Sequence, residues 1–197
     1  MTSTESEAIL HTPGHVKHDG HNLTGFIIFL CSESIIFFAF FVGYGVLKIT
    51  APTWYPDGVT GIAVREPLIN TIILVSSSFV IYFAERYLHK KNYWGFRIVW
   101  LITMLMGSYF VYGQYVEWSE LTFSLNSGVF GGLFYLLTGF HGLHVITGIL
   151  LMGLMLYRSF IPGNYDKGEM GVESISLFWH FVDVIWIILF ILIYVWQ

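Results

Sequence analysis

Five stretches of this chain are each long and apolar enough to cross a bilayer, and that restricts its fold more than any other feature. A spanning helix needs about 20 mostly apolar residues, because hydrocarbon offers a bare peptide group no hydrogen-bond partner. The stretches run from about Leu23 to Ile49, Pro67 to Tyr87, Tyr93 to Val116, Ser127 to Tyr157 and Ile175 to Trp196. The expected fold is an all-α membrane protein, a five-transmembrane-helix bundle over residues 23–197, preceded by a polar tail over residues 1–22. Only 11% of the 197 residues are charged, against about 25% in a soluble domain. The net charge of −4 comes without any basic run, which argues against nucleic-acid binding. The single cysteine, Cys31, excludes a disulfide within the chain and a cysteine metal cluster.

Basic residues give an orientation. With a cytoplasmic N-terminus, Lys17, Arg86, Lys90, Lys91, Arg97, Arg158 and Lys167 lie inside, and only Lys48 and Arg65 lie outside. Such asymmetry places the N-terminus in the cytoplasm and the C-terminus outside. The loop Thr50 to Glu66, with Pro52, Pro56, Gly58 and Gly61, then turns on the outer side. Trp54, Tyr55, Tyr93, Trp94, Trp118 and Trp196 fall near helix ends as interfacial anchors, whereas Trp100, Trp179 and Trp186 lie deeper. The tail carries His11, His15, His18 and His21, a composition that suits loose metal binding or plain solvation, and it lacks the pattern of a secretory signal.

Ionisable groups inside the apolar runs are the candidates for function, since a charge at the bilayer centre costs roughly 2.5–3.5 kcal/mol on insertion scales. Glu33 lies in the first run, His141 and His144 in the fourth, and His180 and Asp183 in the fifth. Each of the last two pairs is three residues apart, on neighbouring sides of one helix. Gln114 and Glu117 form a further pair near the outer end of the third. Imidazole and carboxylate ligate iron, zinc and copper. Di-iron bundles, however, use Glu-x-x-His pairs with further glutamates, and the pairs here are His-x-x-His and His-x-x-Asp. A hydrogen-bonded network between helices accounts for the same residues. Glu33 lies about 10 Å inside the apolar core at 1.5 Å per residue. Burial there favours the neutral acid, able to donate a hydrogen bond or to exchange a proton. Gly128, Gly131, Gly132, Gly139, Gly142 and Gly148 make the fourth helix one that neighbours can approach closely.

These residues carry a resemblance to subunit III of the haem-copper terminal oxidases. Ser32-Glu33-Ser34-Ile35-Ile36-Phe37-Phe38 resembles that family's carboxylate-bearing helix, and Glu66-Pro67-Leu68-Ile69-Asn70-Thr71 its next helix start. Gln114-Tyr115-Val116-Glu117-Trp118 is similar to its Gln-x-x-Glu-aromatic element. Thr138 to Val145 and Phe178 to Trp186 resemble its two most recognisable blocks. The match covers residues 23–197 and corresponds to the short five-helix bacterial form, without the first two helices of the longest members.

The resemblance implies a non-redox core subunit of an aerobic respiratory cytochrome c oxidase, a complex that reduces O2 to water and pumps protons. It implies no catalytic residue, metal or cofactor in this chain, with haem and copper held by partner subunits. The implied partners are oxidase subunit I, subunit II, a small subunit IV and membrane lipid, with bound phospholipid and support of proton uptake. Glu33 corresponds to the family's carbodiimide-reactive carboxyl. Gln114, Glu117, His141, His144, His180 and Asp183 are expected to form an intramembrane polar network. Arg86, Lys90, Lys91 and Arg97 are expected to face lipid headgroups. The expected location is a bacterial inner membrane or an internal energy-converting membrane such as the thylakoid. A quinol oxidase subunit III is the nearest alternative. A stand-alone transporter would carry broken helices or an internal repeat, and neither is evident. A metal-dependent membrane oxidase would hold tightly bound iron.

Overall fold

The computed structural model describes residues 19–56, 58–165 and 169–197, with side chains described from residue 23. His11, His15 and His18, Lys17 and Lys167, and the side chain of His21 lie outside the described residues. The described chain is α-helical: α1 (Asp19–Thr50), α2 (Arg65–His89), α3 (Tyr93–Glu120), α4 (Gly128–Arg158) and α5 (Met170–Phe190), which ends in a π-helical turn over Ile191–Val195. All five are long and apolar enough to span a membrane.

The helices overrun the predicted spans in several places. α1 starts at Asp19, α3 continues to Glu120 and α5 starts at Met170. The added turns hold polar residues that hydropathy assigns to loops but that a helix end accommodates outside lipid.

α2 packs most extensively on α3, α3 on α4, α4 on α5, and α5 back on α2, so these four close a ring. α1 stands outside the ring against α5 and α4. Its exposed face includes Ile28, Ile35, Phe38 and Ile49. The α2–α3 connection is a Schellman turn. The Asn92 N–H donates to the Tyr87 carbonyl at 2.9 Å and the Lys91 N–H to the Leu88 carbonyl at 2.7 Å. Lys91 takes the left-handed position at φ 55°. The Asn92 side chain then caps α3 by accepting from the Gly95 N–H at 3.0 Å. A turn this short forces α2 and α3 to run antiparallel and side by side.

Two tryptophans of α5 close the ring. The Trp179 indole N–H donates to Ser77 Oγ of α2 at 2.8 Å. Its ring lies over Gly107 of α3 and Gly148 of α4: a Cβ on either glycine would come within 2.5 Å and 2.9 Å of it. Two turns on, the Trp186 indole N–H donates to Thr71 Oγ1 of α2 at 2.9 Å. Its ring stacks on His141 of α4 at 4.9 Å and meets Phe110 of α3 edge-on at 4.7 Å. Trp100 adds a tie from α3 to the Met152 carbonyl of α4 at 2.9 Å.

The C-terminal end pins the loop between α1 and α2. The Gln197 amide accepts from the Ile62 N–H at 3.1 Å and donates to the Ile62 carbonyl at 3.0 Å. Lys48 donates to the Trp196 carbonyl and lies 4.5 Å from that indole's centroid.

Gly107→Ala is expected to cost about 1–3 kcal/mol by forcing Trp179 aside. Gly142→Ala, where an added Cβ meets nothing within 4 Å, is expected to leave stability unchanged or slightly raised. Thermal unfolding of the two purified variants in one detergent checks the contrast.

Candidate functional site

Gln114, Glu117 and the ionisable residues singled out inside the apolar runs fall into three separate ties and one unpartnered imidazole, rather than one network. The first tie joins α1 to α4. His144 Nδ1 lies 2.8 Å from the Phe140 carbonyl, one turn back on its own helix, and Nε2 lies 3.2 Å from Glu33 Oε2. A carbonyl only accepts, so Nδ1 is the N–H donor and Nε2 of the neutral ring holds a lone pair. The contact with Glu33 therefore requires one further proton, carried either by the carboxyl or by the imidazole. Phe37, Phe140 and Phe178 wall the imidazole. Glu33 is half-buried at the rim of the bundle rather than enclosed, because α1 touches the ring along one side only.

The second tie joins α2 to α5. Ser78 Oγ donates to Asp183 Oδ2 and accepts from His180 Nδ1, 3.0 Å away. His180 and Asp183 thus meet through a serine of the neighbouring helix instead of pairing with each other. Asp183 is buried, and its Oδ1 has no partner. The third tie joins α3 to the π-helical turn after α5. Gln114 Nε2 donates to Glu117 Oε2 at 2.9 Å, and the Tyr194 hydroxyl donates to Oε1 at 2.8 Å. Glu117 also borders a cavity of about 530 Å³ that opens among Glu66, Asn70, Tyr109, Tyr112 and the loop at Gly61.

His141 departs from the expectation of an interhelical hydrogen bond. It is buried, and neither ring nitrogen has a partner. Trp186 stacks on its face, and Phe110 meets it at 5.8 Å with the rings nearly perpendicular. His141 and His144 are separated by about 60° around α4 at 3.6 residues per turn. That is enough to send one into the ring and the other towards α1.

The basic residues also divide. Arg86, Lys90 and Lys91 are exposed at one end of the bundle, with Arg86 over the Tyr82 ring. Arg97 instead turns towards the end of α4. Its Nε donates to Ser159 Oγ at 3.1 Å, its Nη2 donates to the Ser159 carbonyl, and its guanidinium lies 4.3 Å from the Phe160 centroid. A cation on the last carbonyls of a helix complements the helix dipole. The following loop is anchored by the Tyr165 hydroxyl, which donates to the Met155 carbonyl at 2.7 Å. Burial pushes that phenol above its ordinary range.

Ser78, Tyr194 and Thr71 were not legible as partners in the sequence. Ser76-Ser77-Ser78 reads as small polar punctuation in an apolar run, and its role depends on which helix lies opposite.

Five helices long and apolar enough to span a bilayer, a ring closed by aromatic residues and polar side chains engaged between helices define a polytopic membrane protein. Residues 4–197 match the family profile of cytochrome c oxidase subunit III. The cytochrome c oxidase subunit 3 of Synechocystis sp. is 41% identical over 189 residues, covering 93% of this chain and 81% of that protein. That of Thermostichus vulcanus is 43% identical over 180 residues, covering 91% and 89%, and that of Rattus norvegicus 37% identical over 179 residues, covering 87% and 68%. The chain belongs to the cytochrome c oxidase subunit III family.

Ser78→Ala is expected to strand the buried Asp183 Oδ2 and the half-buried His180 Nδ1. Leaving a buried group such as Asp183 Oδ2 unpaired costs about 1–3 kcal/mol. Ser78→Thr keeps the hydroxyl and is expected to recover most of that loss. Denaturation midpoints of the two variants, measured side by side, check the role of the hydroxyl.

Proposed function

We propose that the chain is the redox-silent core subunit of a proton-pumping oxidase that takes electrons from cytochrome c. It packs beside subunit I, with subunit II and a small subunit IV completing the complex, in a bacterial inner or thylakoid membrane. Its N-terminus is cytoplasmic, so Arg86, Lys90 and Lys91 face anionic headgroups on the inner side. It carries bound phospholipid along its exposed apolar faces.

The observation that supports this reading most is the Glu33–His144 contact. It holds a protonatable pair at the rim of the bundle, between α1 and the ring, at a depth where water is scarce. Such a pair is accessible from the side, where a partner subunit or lipid covers α1, and one proton can pass between its members without a charged group leaving the site. Its role is to support proton uptake by the neighbouring redox subunit and to preserve the complex during turnover.

The chain purified by an affinity tag is expected to bring haem-containing partners with it, seen as haem absorbance at near-stoichiometric level. Isolation of the tagged chain alone, without haem, contradicts the subunit role. Glu33→Gln is expected to keep assembly and nearly normal oxygen reduction in short assays while shortening the active lifetime during sustained turnover. A Glu33→Gln complex without haem would show that Glu33 is needed for assembly instead.

A further inference from the structure

One cluster of ligating side chains takes no part in the ties inside the membrane. His89 ends α2, Glu169 precedes the first turn of α5, and Glu173 follows one turn later. His89 Nδ1 is 2.6 Å from Glu169 Oε2. One donor atom from each of the three residues lies within 4.8 Å of the others.

We propose that His89, Glu169 and Glu173 bind a divalent transition-metal cation, zinc(II) foremost, which clips the end of α2 to the start of α5. The donor set, one imidazole and two carboxylates, suits zinc and is a poorer match for calcium or magnesium, which take oxygen alone. Ligand atoms about 2.1 Å from a tetrahedral zinc are roughly 3.4 Å from one another. The present spacing reaches that by small rotations: His89 and Glu169 open slightly, and Glu173 closes in. The side chains have room to make them, since His89 is 55% exposed and Glu169 20% exposed. The backbones beneath are held, that of His89 by the Schellman turn and that of Glu169 by its carbonyl, which accepts from the Val172 N–H at 2.8 Å and the Glu173 N–H at 3.2 Å. Glu85, one turn before His89 on α2, adds negative charge nearby. A water would complete the coordination.

The position gives the clip a use. α2 and α5 already meet through Trp186–Thr71, Asp183–Ser78 and Trp179–Ser77, three contacts in register along one seam. The cation would extend that seam by one more tie beyond its last membrane contact, at the end of the bundle that carries Arg86, Lys90 and Lys91. A bare His89–Glu169 ion pair is the competing account, and it has no need of Glu173.

The test is zinc binding to the chain purified with its native partners after chelator treatment, compared among wild type, His89→Ala, Glu169→Gln and Glu173→Gln. Partners hold metals of their own, so the readout is the difference between proteins in equilibrium dialysis. Wild type is expected to take up one more zinc per chain, and each variant to bind that zinc at least about tenfold more weakly. Zinc X-ray absorption of the wild type should show nitrogen and oxygen neighbours, an imidazole signature and no sulfur at the added site. Saturating zinc should also raise the unfolding temperature of the wild type and not that of the variants. Glu173→Asp keeps a carboxylate and is expected to retain the zinc. Equal zinc uptake by all the proteins overturns the proposal. So does loss of zinc in the His89 and Glu169 variants with full retention in Glu173→Gln, which leaves only the ion pair.

Discussion

The fold depends on one side chain more than on any other: Trp179, through which α5 touches α2, α3 and α4 at once. Its N–H must find an acceptor, because a donor left bare in hydrocarbon is costly, and Ser77 supplies one. Its ring needs a slot between two helices, and Gly107 and Gly148 leave that slot by having no side chain. In lipid, helices gain nothing by hiding apolar surface from water, so close fit and interhelical hydrogen bonds set their order. Trp179 provides both at one level, and Trp186 repeats the arrangement two turns on, with Thr71, Phe110 and His141 as its neighbours.

The placement of the ionisable groups follows from that seam. With the ring interior filled by indoles and phenylalanines, polar side chains are left at the joints between adjacent helices. Ser78 collects His180 and Asp183 at the α2–α5 joint, and Tyr194 collects Glu117 near its far end. Glu33 and His144 sit where α1 meets the ring, and both are half-buried there.

The five spans could be read from hydropathy because bilayer thickness sets a minimum length that no loop here imitates. Helix ends could not: α3 runs on to Glu120 and α5 begins before Glu173, since water beyond the lipid tolerates polar helical turns. The depth of Trp179 and Trp186 was visible in their positions along the fifth run, but their partners on α2 were not. Three consecutive serines, Ser76 to Ser78, say nothing about which of them faces an indole. Three-residue spacing puts His141 and His144 on neighbouring sides of α4, and the 60° between them sends them to different neighbours. Arg97 reads as a headgroup contact by its place at a helix start, and only the proximity of the α4 terminus shows why it turns inward.

Hydrogen–deuterium exchange on the purified complex carrying Trp179→Ala tests whether Trp179 holds α2, α3 and α4 together. Faster exchange is expected in the middle of α2, α3 and α4 as well as in α5. Trp100→Ala, which removes a tie between α3 and α4 alone, should by comparison loosen only those two. Exchange that rises in α5 around residue 179 while α2, α3 and α4 keep their protection would contradict the claim.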